Sequence, residues 1–104
     1  RGQHLLVVYV PSRMEVDDRS WELSQTLYAM DADGWDRALV AARLEGVGRE
    51  LDVPVLDLTG ALRKADRGWR TRPYFTYDGH WTSLGHETAA REIETELRAK
   101  RWLE

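Results

Sequence analysis

The segment "LLVVYVP", residues 5–11, constrains the fold of this chain more than any other. It is a continuous aliphatic and β-branched run that ends at Pro11 and shows no polar alternation. Such runs are typical of central strands in parallel sheets, which helices cover on both faces. The run therefore predicts a strand from Leu5 to Val10 that is buried on both faces, and with it an α/β fold.

Two helices are predicted after this strand. The segment Ser12–Met30 places apolar or small residues at helical spacing, namely Val16, Ser20, Leu23, Leu27 and Met30. Turn residues at Asp31–Asp36 then supply candidate N-caps for a second helix. Its predicted inward face consists of Val40, Leu44, Val47 and Leu51.

A second strand and two more helices complete the pattern. The segment Val53–Gly60 is strand-like, and Thr59 is a candidate cap for a short helix that ends near Asp66. Asp57 is expected to cap a neighbouring turn. The segment Arg67–Gly79 has no period and is interpreted as a loop.

The last helix is predicted from Ser83 onward. Its apolar stripe consists of His86, Ala90, Ile93 and Leu97, and its other face carries the i,i+4 pairs Glu87/Arg91, Glu94/Arg98 and Glu96/Lys100. We expect a structural role for His86, because its place on the stripe points it inward.

Two strands are too few to cover a run as apolar as residues 5–10. We therefore expect residues 1–104 to be a single domain-sized segment with a partial parallel sheet and flanking helices. The chain begins at Arg1, almost within the apolar run and without an initiator Met, which suggests a piece of a longer protein. The missing strands are expected from an N-terminal half of the same protein or from a second copy, so self-association is predicted.

Composition excludes several classes of partner and site. The net charge of −3 argues against nucleic acid as a partner. The absence of cysteine excludes disulfides and thiolate zinc sites. The longest apolar run is far too short to span a bilayer, so we predict a soluble segment that does not enter the membrane.

Chemistry-bearing residues are concentrated in "YFTYDGHW", residues 74–81. Asp78 and His80 are separated only by Gly79, directly before the last helix. Serine hydrolases use a histidine as general base and hold its tautomer with a carboxylate at Nδ1. An Asp two positions before the His can reach that ring from within one loop, and open α/β sheets collect their sites beyond the carboxyl ends of the strands.

These residues resemble a known family. The segment "YFTYDGHWTSLGHETAAREI", preceded by "VVYVPSR" and "VPVLDLTGALR", is similar to the C-terminal half of an SGNH (GDSL-type) serine hydrolase. In that family the last sequence block carries the catalytic Asp and His before a terminal helix. The resemblance implies a flavodoxin-like three-layer α/β/α fold, with His80 as base, Asp78 orienting it and no cofactor.

The resemblance also implies what this chain lacks. The commoner family spacing has two residues between the Asp and the His, whereas only Gly79 stands here. The Gly-Asp-Ser block has no counterpart, since none of the four serines (Ser12, Ser20, Ser24 and Ser83) has that setting. We therefore expect a segment of an ester hydrolase, acting on an ester or an acetylated carbohydrate, that is inactive by itself.

Alternative interpretations remain open. The D-x-H-W spacing also resembles polysaccharide O-acyltransferases of the same fold, in which the motif precedes the serine; only 24 residues follow His80, which favours the hydrolase. A non-catalytic α/β binding or assembly module is the alternative from another class. Trp81 is a candidate wall of the substrate pocket, or a packing residue. Asp78, His80 and His86 do not have a metal-ligand spacing on a helix, so no metal is predicted.

Overall fold

The structure is a computed structural model that describes residues 2–31, 33–68 and 71–103. The predicted turn at Asp31–Asp36 and the predicted loop at Arg67–Gly79 include residues 32, 69 and 70, which lie outside the described residues. None of the helices within the described ranges is long and apolar enough to cross a membrane. In chain order the elements are β1 (Val7–Tyr9), α1 (Arg13–Val16), α2 (Asp18–Leu27), α3 (Leu39–Leu51), β2 (Val55–Asp57), α4 (Thr59–Ala65) and α5 (Ser83–Ala99).

The two strands form the predicted parallel pair. Val7 lies opposite Val55, and Tyr9 lies opposite Asp57. In the part of the chain that the structure describes, the sheet consists of these two strands alone. The strand predicted over Leu5–Val10 is shorter, and its expected burial on both faces is wrong: Val7–Tyr9 are half-buried, and Leu5 and Val10 beside them are 61% and 55% exposed. The α/β class itself is confirmed.

The helix predicted over residues 12–30 is interrupted at Asp17. This residue is extended, and its carboxylate accepts hydrogen bonds from the Arg19 amide at 3.2 Å and the Ser20 hydroxyl at 2.7 Å. An Asp side chain that bonds to nearby backbone competes with helix continuation and favours a new N-cap. Asp17 therefore ends α1 and caps α2.

The start of α4 is fixed by the residue that ends β2. The Asp57 carboxylate accepts hydrogen bonds from the Thr59 amide at 2.9 Å and the Thr59 hydroxyl at 2.6 Å. The expected capping role of Asp57 is thereby confirmed. Thr59 itself is the first residue of the helix rather than its cap, a position that Leu58 occupies.

The core lies between α1, α4, α5 and the loop that precedes α5. Leu58 and Leu62 are essentially fully buried, at 1% and 0% exposure. The buried cluster consists of Val16, Leu58, Leu62, Tyr74 and Ala89, with Val8, Leu56 and Trp81 packed against it. The loop that carries Asp78 and His80 therefore starts and ends beside the best-packed part of the molecule.

The predicted inward face of α3 is wrong. Val40, Val47 and Leu51 are exposed, whereas Ala41 and Gly48 are buried. A Cβ atom on Gly48 would lie 2.7 Å from the Val53 carbonyl oxygen, so the helix approaches the chain before β2 through a residue without a side chain. Small residues rather than the apolar stripe decide which side of α3 faces inward.

The same explanation applies to α5. Its buried residues are Gly85, Thr88 and Ala89, whereas His86 and Ala90 of the predicted stripe are exposed. A Cβ atom on Gly85 would lie 2.3 Å from the Pro73 carbonyl oxygen, which no ordinary side chain permits. Two of the three predicted ion pairs form, Glu94–Arg98 at 2.9 Å and Glu96–Lys100 at 3.4 Å.

Candidate active site

The loop before α5 is closed at its base like a hairpin. Tyr74 and Trp81 form an antiparallel bridge. The Phe75 amide donates to the His80 carbonyl at 2.8 Å, and the Thr82 amide donates to the Pro73 carbonyl at 2.9 Å. Residues 76–79 therefore form a tip whose two ends are fixed by backbone hydrogen bonds.

The tip turns at Asp78 and Gly79. The Asp78 carboxylate accepts a hydrogen bond from the His80 amide at 2.9 Å, which is an Asx turn. Gly79 has a φ of +74°, a conformation that residues with a Cβ rarely adopt. This backbone geometry carries His80 back over the carboxylate of Asp78.

The structure brings Asp78 and His80 together, as the sequence predicts. His80 Nδ1 lies 3.6 Å from Asp78 Oδ1. Their side chains are 84% and 61% exposed, respectively, so the pair faces solvent in the described chain. The distance exceeds that of a hydrogen bond, but such contacts often tighten only when substrate binds.

A cleft of about 280 Å³ opens beside His80. Most of its lining is apolar, consisting of Val10, Pro11, Tyr74, Gly79, His80, Trp81 and His86. Val10 and Pro11 directly follow β1, so the cleft lies beyond the carboxyl end of a parallel strand, where α/β proteins place their sites. Trp81 both lines the cleft and packs against the core, so its packing is observed and its role in a substrate pocket stays a prediction.

His86 is exposed and stands at the wall of this cleft. Its ring meets the ring of Trp81 edge-on, with the centroids 5.3 Å apart. The expectation that His86 points inward is wrong, because Gly85 occupies the inward position at the start of α5, and the structural role of His86 stays a prediction. Gly85 is the residue that could have indicated the buried face of α5, since only a glycine fits so close to the Pro73 carbonyl oxygen.

Tyr74 supports the loop from below. It is 5% exposed, and its hydroxyl donates to the Pro11 carbonyl oxygen. Burial raises the pKa of Tyr74 above its ordinary value, although the nearby Trp81 indole opposes that rise. The indole nitrogen itself is buried without a well-formed hydrogen bond among the described residues.

Arg13 contacts the loop, and the sequence pattern does not predict this contact. Its Nη1 donates to the Phe75 carbonyl at 3.1 Å and also to the carbonyl of Thr76, the first residue of the tip. The signal available in the sequence was its place two residues after the proline that ends the first strand. Thr82, at the other end of the loop, caps α5 by accepting a hydrogen bond from the Gly85 amide at 3.3 Å.

Other catalytic groups are not assembled around this pair. Within the described ranges, no serine hydroxyl is hydrogen-bonded to His80, and the Ser20 and Ser24 hydroxyls bond within or next to α2. No group of three or more His, Asp or Glu side chains there is placed to hold a metal ion. In the described ranges, Asp78 and His80 are therefore an acid–base pair without a nucleophile or a metal site beside them.

The parallel α/β arrangement and the D-G-H-W loop before a final helix resemble an SGNH hydrolase-like domain. One family model matches residues 1–104, and its description is "SGNH hydrolase-like domain, acetyltransferase AlgX". The chain belongs to this family, which confirms the predicted resemblance at the level of the fold. No curated protein and no solved structure matches the chain significantly.

Proposed function

We propose that this chain carries the acid–base part of an O-acetyl transfer site, with His80 as the general base and Asp78 orienting it. The observation that carries the proposal is the approach of Asp78 Oδ1 to His80 Nδ1, at 3.6 Å across a single glycine. The apolar cleft beside the ring and the family's description as an acetyltransferase support it.

The proposed chemistry follows from the two ring nitrogens. With Nδ1 facing Asp78, His80 Nε2 accepts the proton of a serine hydroxyl while the serine oxygen attacks the acetyl carbonyl. The imidazolium then gives this proton to the departing alcohol. In the second step the ring takes a proton from the acceptor hydroxyl, whose oxygen attacks the carbonyl carbon of the acetyl-serine. The bond between that carbon and the serine oxygen breaks, and the imidazolium returns the proton to the serine oxygen. The serine must come from outside residues 1–104, because none of the four in the chain has the required setting.

The cleft suits a small acyl group on a carbohydrate. Its volume of about 280 Å³ and its apolar lining favour an acetyl group, and Trp81 presents an aromatic wall against which a sugar can pack. We therefore assign Trp81 to the substrate pocket.

Transfer is preferred to hydrolysis as the overall reaction. Both reactions share the acetyl-serine, and they differ only in whether a sugar hydroxyl or water removes the acetyl group. The family description names an acetyltransferase, which ranks transfer above the esterase expected from the sequence. The 24 residues after His80 do not argue against transfer, because residues 1–104 do not fix where the serine lies in the full-length protein.

Two substitutions in the full-length protein that contains this segment test the proposal. We expect His80→Ala and Asp78→Asn each to lower kcat for acetyl transfer by roughly 10²- to 10⁴-fold, because the nucleophile loses its base or the base loses its orientation. Asn at 78 can still accept the His80 amide hydrogen bond, so the turn survives and the melting temperature should stay close to that of the wild type.

Asp66→Asn is the matched control. Its carboxylate accepts a hydrogen bond from the Gly68 amide at 2.8 Å, which is the same local geometry without a histidine. We expect this variant to retain full activity. Wild-type kcat in both the His80 and the Asp78 variants would contradict the proposal.

An acceptor competition separates transfer from hydrolysis. With an acetyl ester donor and increasing oligosaccharide, we expect acetylated sugar to replace free acetate as the main product. Release of acetate at a rate independent of the acceptor would instead support the ester hydrolase.

A further inference from the structure

Arg13 links the start of the segment to the loop of the candidate site. It lies in the first turn of α1, and it is separated by 62 and 63 residues from the two carbonyl groups it binds, those of Phe75 and Thr76. These carbonyls lie two to three residues before Asp78, in the strand-to-tip part of the loop that presents Asp78 and His80. A planar guanidinium can donate to two neighbouring acceptors in a fixed geometry, which fits it to hold a loop in one conformation.

The guanidinium makes no other polar contact among the described residues. Its Nε atom is buried and has no hydrogen-bond partner, and no carboxylate pairs with it in the described ranges. Arg13 is therefore not part of a surface ion-pair network, and its polar contacts go to the loop alone.

A hydrogen-bond network holds Arg13 in place from the strand side. The Ser12 amide donates to Glu15 Oε2 at 2.6 Å, and the Tyr9 hydroxyl donates to Glu15 Oε1. Burial and the neighbouring Glu15 carboxylate raise the pKa of Tyr9 well above its usual range, so this hydroxyl remains a donor at neutral pH. The first turn of α1 is thus fixed to the carboxyl end of β1.

The tip of the loop has little other support. Phe75 is 51% and Tyr77 is 97% exposed, so packing against the core does not hold the residues on either side of Thr76. The tie between the Tyr74 hydroxyl and the Pro11 carbonyl fixes only the base of the loop. Arg13 is the described side chain that reaches across to the backbone of the tip.

We infer that Arg13 is a positioning residue for the Asp78–His80 pair: it fixes the carbonyls of Phe75 and Thr76 and thereby the orientation of the imidazole toward the cleft. The inference rests on the proposed function. Arg13 does not touch the reacting atoms in this assignment and acts only through the loop.

Kinetics of the full-length protein test this role. We expect Arg13→Ala to lower kcat by about ten- to a hundred-fold with little change in KM, since a misplaced base affects the chemical step. Arg13→Lys should recover part of kcat, because an ammonium group also carries several N–H donors on one nitrogen, but the shorter side chain places them less favourably. Arg19→Ala is the matched control, because Arg19 lines a surface groove together with Arg13 and Thr76, apart from the cleft beside His80, and donates no described side-chain hydrogen bond to the loop.

A double-mutant cycle distinguishes positioning from a general structural role. If Arg13 acts through His80, adding Arg13→Ala to His80→Ala should lower kcat no further. A full additional loss of kcat in the double variant would overturn the inference, as would wild-type kcat in Arg13→Ala.

Hydrogen exchange tests the loop independently of activity. Amides in residues 74–82 of the full-length protein should exchange faster in Arg13→Ala than in Arg19→Ala or the wild type. Unchanged exchange would overturn the inference even if the His80 variant is inactive. Faster exchange together with a fully active His80 variant would support the anchoring of the loop and contradict only the proposed function.

Discussion

The region around α4, α5 and their connecting loop differs sharply from the region formed by α2 and α3. The first contains Leu58, Leu62, Tyr74 and Ala89, all buried in one cluster. In the second, the only buried residues that the structure describes are Ala41 and Gly48. Packing density, not helix length, therefore separates a region that holds the fold together from one that lies against it.

The candidate site is attached to the densely packed region through the base of its loop, while the tip itself is exposed. The loop that carries Asp78 and His80 begins at buried Pro73 and Tyr74 and leads into the buried first turns of α5. Catalytic groups need positions fixed to a fraction of an ångström, which a well-packed support provides. The contrast predicts that substitutions of similar size will have unequal effects in the two regions.

The largest difference should appear when one buried and one exposed aliphatic side chain are truncated. We expect Leu62→Ala to lower the free energy of unfolding by about 2–5 kcal/mol, because it leaves a cavity in the core. Val47→Ala, at a site 48% exposed, should change it by less than about 0.5 kcal/mol. Urea denaturation of the two variants measures both values, and equal losses would remove the contrast.

Glycine substitutions give the next largest effect. Gly85→Ala should lower the free energy of unfolding by about 1–3 kcal/mol, because the new Cβ would meet the Pro73 carbonyl. Gly60→Ala in α4 is the control, since its Cβ would meet nothing within 4 Å. Its higher helix propensity should raise stability by up to about 1 kcal/mol. A stabilising Gly85→Ala would show that α5 can move away from the loop.

Alkaline unfolding provides a smaller, pH-dependent test. Because the pKa of Tyr74 is raised in the folded state, its contribution is complete below the ordinary pKa of 10.0 and is lost as pH rises through the folded value. At neutral pH, Tyr74→Phe should lower the free energy of unfolding by about 1 kcal/mol, because the hydrogen bond is lost. Above pH 10, the free energy of unfolding should fall less steeply with pH in this variant than in the wild type. Tyr28→Phe, at a site 75% exposed, is the control from the loosely packed region. If the free energy of unfolding fell equally steeply with pH in the wild type and in Tyr74→Phe, the raised pKa of Tyr74 in the folded state would be contradicted.

The smallest effect concerns association through α3. We propose that segment 1–104 alone dimerises weakly with a second copy, because the outward face of α3 exposes Val40, Val47 and Leu51. Sedimentation should show a concentration-dependent dimer. Val47→Glu should shift it toward monomer and change the melting temperature little. A wild-type monomer at every concentration would rule out the dimer.

Apart from the break between α1 and α2 at Asp17, the type and order of the elements could be predicted from local sequence. The apolar runs at residues 5–11 and 53–58 identify both strands, and the helical spacing after Ser83 identifies α5, because these signals are local. The position of Asp78 and His80 in one loop followed from their spacing for the same reason. A family resemblance carried by that motif then gave the fold.

The inward faces of α3 and α5 could not be predicted from periodicity. A stripe of apolar residues shows that a helix has two faces, but the neighbouring backbone decides which face is covered. Gly48 and Gly85 allow close approaches that larger residues would block, so the helices turn these sides inward. The contact of Arg13 with the loop was equally hidden, because it joins residues far apart in sequence.

That long separation has a consequence for how the segment acquires its geometry. The contacts of Tyr74 with Pro11 and of Arg13 with Thr76 each close a span of 63 residues. Contacts of such high sequence separation form late, because the chain loses loop entropy before they contribute. During synthesis, Pro11 and Arg13 therefore leave the ribosome well before the loop does. They cannot contact Tyr74 and Thr76 until the loop has also been synthesised. The turn of Asp78 and His80 is local and can form by itself, but we expect its attachment to the first strand and α1 to follow only when these distant contacts close.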